Sequence, residues 1–177
     1  MKIISYNVNG IRAAIKKGFF DWLRTNPADV ICLQETKATQ GDVDVKQLEA
    51  LGYHHYWYSA QKKGYSGVAV FTKIKPDNVE YGTGHIVSDD EGRVIQLDFK
   101  DVRLINAYFP SGTSGDLRQS FKYEWLDEMN KYLNKLRKKF RNSFCVAIII
   151  LHILKLIFMI RKEIKSLLVF YPKKENG

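Results

Sequence analysis

Ile3-Ile4-Ser5-Tyr6-Asn7-Val8-Asn9-Gly10-Ile11-Arg12-Ala13-Ala14-Ile15 is the stretch that decides the fold. Ile3 to Tyr6 is a short apolar run, the pattern of a buried strand. Beyond the polar Asn7, Asn9 and Gly10, residues Ile11, Ala14, Ile15, Phe19, Trp22 and Leu23 recur at helical spacing. Asn26-Pro27 closes them, so the spacing predicts a helix over Ile11 to Arg24. A strand that turns into a helix through two asparagines places polar groups at the end of a rigid element.

The same alternation continues outward. Val30 to Leu33 reads as a second buried strand, and Val45 to Leu51 as a short helix ended by Gly52. His54 to Ser59, Gly67 to Thr72, Ile86 to Val87, Val94 to Phe99 and Arg103 to Tyr108 read as strands separated by Gly, Asp and Lys turns. Leu117 to Leu136 is the longest predicted helix. Closely spaced strands framed by helices predict a layered α/β sandwich with mixed sheets.

A chain of 177 residues, 45% hydrophobic and 13% aromatic, has the composition of one globular domain rather than of a disordered segment. Its two cysteines, Cys32 and Cys145, each lie in an apolar run and offer neither a disulfide framework nor a CxxC metal spacing. A reducing, cytoplasmic setting is the expectation. Met1 leads directly into a strand without the apolar core of a signal peptide, so export is not expected. The net charge of +9 is concentrated at one end. From Lys135 onward eleven Lys and Arg face two Glu, out of 28 and 19 in the chain, which leaves residues 1–134 balanced at 17 of each sign. Any case for a nucleic-acid partner therefore rests on particular residues and not on bulk charge.

Those residues sit at strand ends, where rigid scaffolds place chemistry. Asn7 and Asn9 follow the first strand, Glu35 follows the second, and Tyr108 ends the strand Leu104-Ile105-Asn106-Ala107. A carboxylate beside an amide is a hard-oxygen site suited to Mg²⁺, which takes one or two carboxylates and fills its shell with water and phosphate. A phenol nearby can donate to a phosphate oxygen. Singly, each has an ordinary explanation: a turn-forming Asn, a solvated Glu, a packing Tyr. Their flanks add the information that single residues lack.

Ser5-Tyr6-Asn7-Val8-Asn9-Gly10-Ile11-Arg12-Ala13-Ala14, Leu33-Gln34-Glu35-Thr36-Lys37, Gly64-Tyr65-Ser66-Gly67-Val68-Ala69 and Asn106-Ala107-Tyr108-Phe109-Pro110 occur in the order and approximate spacing of one family. From Met1 to about Phe140 the chain resembles the exodeoxyribonuclease III family of abasic-site endonucleases, within the endonuclease, exonuclease and phosphatase superfamily. The Asn7 and Glu35 positions are shared across that superfamily. Arg12-Ala13-Ala14 with Lys17, and the Gly64-Tyr65-Ser66-Gly67 turn, are more characteristic of the abasic-site branch. The resemblance implies the N-terminal half of a four-layer α/β sandwich, two mixed sheets flanked by helices. It implies Glu35 as a Mg²⁺ ligand, with Mn²⁺ an alternative ion, Asn7 orienting the metal and its water, Asn9 supporting that cluster, and Tyr108 touching the scissile phosphate. Arg12, Ala13, Lys17, Gly64 and Tyr65 would meet the backbone of double-stranded DNA carrying abasic sites or 3′ ends. Lys37 is either a neighbour that supports Glu35 or a solvated lysine. The implied reaction is phosphodiester hydrolysis 5′ of an abasic sugar, with 3′-to-5′ exonuclease ability. No obligate protein partner is implied.

The family's pattern then breaks off. A Gly-Asp-x-Asn motif is expected after the long helix, and later an acidic residue and Ser-Asp-His; instead the chain reads Arg141-Asn142-Ser143-Phe144-Cys145-Val146-Ala147-Ile148-Ile149-Ile150-Leu151, and no Asp follows Asp127. The genetic code offers a cause. If the frame is lost near Arg141, each true codon takes its last two bases from a residue printed here and its first from the third base of the residue before. Cys145 through Leu151 then permit Cys-Gly-Asp-Tyr-Asn-Ile, and Leu168 through Gly177 permit Ser-Gly-Phe-Leu-Pro-Glu-Glu-Arg-Lys-Trp, both phrases of the family. The expectation is a nuclease part over 1–140 and an out-of-frame tail over 141–177, with a chain weakly active or inactive. Two alternatives are a DNA-binding fragment without catalysis and a membrane-tethered small protein anchored through the apolar run 144–160. Against the latter, the run is short of about 20 residues and carries Lys155. The remaining option for that run is an ordinary buried helix.

Three further expectations follow. His54 and His55 belong to alternate faces of an aromatic strand, His85 is structural, and His152 lies in the tail. The basic run from Lys135 to Arg141 is a helix end that suits the helix dipole. Since the resemblance assigns most of the second sheet to the missing half, strands such as Val68 to Phe71 and Leu104 to Tyr108 are expected to show an apolar face, with poor solubility.

Overall fold

The computed structural model describes residues 1–85, 89–100, 102–111, 115–139 and 143–148. Eight strands, Ile3–Asn7 (β1), Val30–Gln34 (β2), His54–Tyr58 (β3), Val68–Thr72 (β4), Asn78–Tyr81 (β5), Val94–Phe99 (β6), Val102–Tyr108 (β7) and Ser143–Ile148 (β8), form two mixed sheets. The first has the order β1-β2-β4-β3, the second β5-β6-β7-β8. β1 and β2 are parallel, as are β7 and β8, while the other neighbours are antiparallel.

Burial separates the molecule into four layers. Helices Ile11–Lys16 (α1), Phe19–Thr25 (α2) and Lys46–Ala50 (α3) supply Ile11, Phe19, Phe20, Leu23 and Leu48 to a core shared with Ile4, Ile31, Leu33 and Phe71. The opposite faces of the same strands, Ile3, Val30, Cys32, Val68 and Val70, pack on Ile95, Leu97, Leu104 and Tyr108 of the second sheet. The outer face of that sheet, Val94, Ile105 and Ala107, is covered by helix Asp116–Lys139 (α4) through Trp125, Met129 and Leu136. Strand alternation explains the division, because residues i and i+1 point to opposite faces and both faces of each central strand are apolar. The predicted α/β sandwich is therefore present as helix, sheet, sheet, helix.

Several expectations change. The apolar face expected to be bare is covered, because both sheets come from the described residues and bury Val68, Val70 and Leu104 between them. The predicted helix over Ile11 to Arg24 is two helices: Gly18 adopts φ +89 and breaks the rise after Lys17. Asn7 completes β1 instead of following it. β5, with the single strongly apolar residue Val79, is an edge strand that no period-two signal announces. The apolar run 144–160 does not begin as a helix, since residues 144–148 lie in β8 and find their backbone partners in the ladder with β7. Residues 149–177, and the predicted strand Ile86 to Val87, lie outside the described residues. Among the described residues no helix is long and apolar enough to cross a membrane.

Candidate active site at the ends of two sheets

Three loops meet at the C-terminal ends of β1 and β2, held by main-chain bonds. Val8 N–H donates to the Gln34 carbonyl (3.0 Å), Gly10 N–H to Glu35 (2.7 Å) and Ile11 N–H to Thr36 (2.9 Å). On the other side Thr36 N–H donates to Gly67 (3.1 Å) and Lys37 N–H to Ser66 (2.9 Å). Glu35 thus sits in a segment fixed on both flanks. It adopts φ +54, and Asn9, Lys37 and Ser66 are also left-handed, at +45, +50 and +45. Of the five such non-glycine residues among those described, four gather here. Conformations of this kind persist only where the surroundings over-determine them, and they concentrate at functional sites.

Gly67 shows how tight the join is. At φ +85 its carbonyl accepts the Thr36 N–H, and a Cβ there would stand 2.5 Å from Thr36 Oγ1. Only a residue without a side chain lets the 66–67 turn reach the loop that carries Glu35.

The side chains assemble across both sheets. Asn7, at the end of β1, is in register with Gln34, the residue before Glu35. Its Oδ1 accepts the Asn9 N–H (2.9 Å), and Asn9 Oδ1 accepts Lys37 Nζ (2.7 Å). Tyr108, at the end of β7 in the other sheet, donates its hydroxyl to Glu35 Oε1. The three predicted groups therefore converge, although at the mouth between two sheets and not along one. Burial, then the hydrogen bond and charge of Glu35, hold the Tyr108 phenol well above the usual tyrosine range, with Arg93 opposing. A phenol so placed stays protonated and is a donor.

One carboxylate and one amide at a partly exposed strand end form the donor set that Mg²⁺ accepts, with water and phosphate completing the shell. Among the described residues no three His, Cys, Asp or Glu side chains gather as a protein-only cage. The chemistry of the donors fits an open magnesium site held by Glu35 with Asn7 beside it.

The predicted DNA contacts occupy two positions. Arg12 and Ala13 lie exposed on α1, and Lys17 exposed at its end. Gly64 is exposed and Tyr65 half-buried in the loop before β4. The Tyr65 hydroxyl is clasped by two guanidiniums, Arg93 Nη2 at 3.2 Å and Arg118 Nη2 at 2.8 Å, both of which also bind Glu91. Sequence reasoning missed Glu91, Arg93 and Arg118, because they read as a polar turn and a helix start. The signal available was an arginine opening the apolar run Val94-Ile95. His54 is exposed, while His55 sits 3.5 Å from Glu49 and accepts the Trp57 indole N–H (3.2 Å). His85 Nε2 lies 3.9 Å from Glu124.

Comparison with known proteins points to one family. The model of the endonuclease/exonuclease/phosphatase family matches residues 4–139. An exodeoxyribonuclease of Bacillus subtilis (strain 168) is 45% identical over 140 residues, 78% of this chain and 54% of that protein. The DNA repair nuclease APEX1 of Danio rerio is 42% identical over 135 residues, 75% of this chain and 44% of its own length. The solved structure of the 3′-5′ exonuclease NExo from Neisseria meningitidis superposes with a TM-score of 0.73 at 26% identity, over 83% of this chain and 57% of that one. The chain spans about half the length of the curated relatives it matches.

Proposed function

The chain belongs to the endonuclease/exonuclease/phosphatase family, and on that premise we propose that residues 1–140 are part of a Mg²⁺-dependent DNA repair nuclease acting at abasic sites and 3′ ends. The observation that carries the reading is the meeting of Glu35, which follows β2, with Tyr108 at the end of a strand of the other sheet, while Asn7 is in register with Gln34, the residue before Glu35. Glu35 and Asn7 hold the metal, Asn9 keeps Asn7 oriented, and Tyr108 donates to a phosphate oxygen. Bound Mg²⁺, or Mn²⁺, supplies neutralisation of charge on the phosphate oxygens. Arg12 and Lys17, the main chain at Ala13 and Gly64, and Tyr65 grip the DNA backbone and set its position without reading sequence.

The reading extends to the tail, which we take as out of frame from near Arg141. β8 runs parallel to β7 with Ile148 in register with Tyr108. In the shifted frame the aspartate of Gly-Asp-x-Asn falls at position 148, at the strand end beside the phenol. A general base is needed at that end of the sheet and not elsewhere, which supports both the frame and the function.

The test is incision of a duplex with one abasic site, in Mg²⁺, by the chain as it stands and by a version with the frame moved back at Arg141. Loss of one catalytic group commonly costs 10²–10⁴-fold, so the restored chain is expected to be faster by at least about that factor. Its activity is expected to vanish with Glu35→Gln. Equal turnover by both chains, insensitive to Glu35→Gln, overturns the reading, and duplex binding without cleavage by either chain leaves a non-catalytic DNA-binding fragment.

A further inference from the structure

Arg93 is one of the largest side chains to be fully buried, at 1% exposure, and it stands immediately before β6, the strand that neighbours the one ending in Tyr108. A guanidinium withdrawn from water persists only where its charge and its donors are met. Arg93 Nε donates to Glu91 Oε2 at 2.6 Å and Nη2 to the Tyr65 hydroxyl at 3.2 Å. The rest of the group is spent on a single residue. Nη1 donates to the Tyr108 carbonyl at 3.0 Å, and the guanidinium carbon stands 4.9 Å from the centroid of the Tyr108 ring. The Tyr108 N–H in turn donates to the Arg93 carbonyl at 2.8 Å. Backbone, carbonyl and ring of Tyr108 are thus each held by the same arginine.

We propose that Arg93 is a positioning residue for Tyr108, its planar fork fixing the carbonyl and one ring face so that the hydroxyl stays aimed at the phosphate site beside Glu35. Tyr108 is the last residue of its strand, paired on one side with Ile148 of β8, while on the β6 side the ladder has ended at Val94 and Ala107 and Arg93 takes over; strand pairing fixes the backbone there and leaves the ring to its neighbours. A point-like ammonium lacks the flat face and the parallel donors that this double contact uses. Glu91 is the buttress. Its other oxygen receives Arg118 Nη1 at 2.8 Å from α4, so one carboxylate ties both guanidiniums into the cluster. A purely structural ion pair needs Glu91 and nothing from the ring or carbonyl of Tyr108.

The inference rests on the assignment of Tyr108 to the phosphate, and its test is spectroscopic so that the two fail separately. The chain is labelled with 3-fluorotyrosine, and the Tyr108 ¹⁹F resonance is identified by its disappearance in Tyr108→Phe. In Arg93→Lys the Tyr108 signal is expected to move by more than its linewidth, with the two ring orientations approaching equal population. Tyr53 and Tyr132, which lie away from Arg93, are expected to stay in place. An unmoved Tyr108 signal, or equal displacement of all three, overturns the proposal. Should Arg93→Lys fail to fold, the Arg93 Nε–H resonance is compared between the parent chain and Tyr108→Leu. Loss of the ring-current shift supports the contact, and an identical resonance refutes it. If Tyr108→Phe leaves the frame-restored nuclease at full rate while the ¹⁹F result holds, the phosphate assignment fails and the positioning of the ring stands.

Discussion

Gln34 Nε2 donates to Asn106 Oδ1 at 2.7 Å across the interface between the two sheets, with both side chains fully buried. Asn106 Nδ2 also donates to the carbonyls of Leu33 (3.0 Å) and Ala69 (2.9 Å), which are register partners in the first sheet. Apolar packing between sheets is non-directional and tolerates sliding. A bonded amide pair does not, and this one lies one residue before Glu35 and two before Tyr108.

Replacing Asn106 with Leu is expected to leave Gln34 Nε2 with only Ser5 Oγ (3.1 Å) and the Cys32 carbonyl (3.4 Å) as partners and to remove both sheet-to-sheet bonds of Asn106 Nδ2, at about 1–3 kcal/mol for each buried group left unpaired. Replacing both Gln34 and Asn106 with apolar residues is expected to cost less than the sum of the single changes. Urea unfolding of the four chains in a double-mutant cycle measures the coupling.

Gly67→Ala is expected to destabilise by about 1–3 kcal/mol and to displace the Glu35 loop, because a left-handed φ and a 2.5 Å contact with Thr36 Oγ1 act together. Gly64→Ala is the control. Its φ is +71 but nothing lies within 4 Å of a Cβ there, so only the conformational cost of about 1–2 kcal/mol applies. Thermal melts rank the two, and amide shifts of residues 35–37 show whether the loop moved.

The pH dependence of stability is expected to carry two signatures. For Tyr108 the folded value is raised above the ordinary 10.0, so its contribution is complete below that value and is lost as pH rises beyond it. Tyr108→Phe is expected to soften the alkaline loss only in part, since burial also raises Tyr53, Tyr56, Tyr58, Tyr81 and Tyr132. Urea midpoints taken above neutrality report it.

Glu91 gives the opposite limb. Burial pushes its carboxyl up, but the hydrogen bonds and charges of Arg118 and Arg93 outweigh burial and hold it below the usual carboxylate range. Its contribution is therefore present above its unfolded value and disappears as pH falls through the folded one. Glu91→Gln is expected to be less stable than the parent at neutral pH, with the two curves converging in acid.

Legibility followed the range of the interactions. The strand ends bearing Asn7, Glu35 and Tyr108 were readable because period-two runs and their flanks are local signals. The kink at Gly18 was not, since Ala14, Ile15, Phe19 and Trp22 keep helical spacing through it. The second sheet was misjudged because β5 is polar and because Val68 and Leu104 find each other across 36 positions of chain. Glu91, Arg93 and Arg118 escape a sequence reading for the same reason: separations of 15 to 53 residues create their bonds with Tyr108 and Tyr65, and the arginine ahead of the apolar run Val94-Ile95 is a local hint without those partners.

The carboxylate and the phenol belong to different sheets, and the amide stitch between those sheets lies directly beneath them. Fraying of the outer strands β3 or β5 leaves this stitch untouched, whereas any motion that parts the two sheets beneath Glu35 and Tyr108 has to break the bonds of Asn106 as well. Deuterium uptake at the Val8, Thr36 and Tyr108 amides is accordingly expected to run at the rate of global unfolding: the mouth between the two sheets is expected to have no private opening of its own and to come apart only when the whole molecule does.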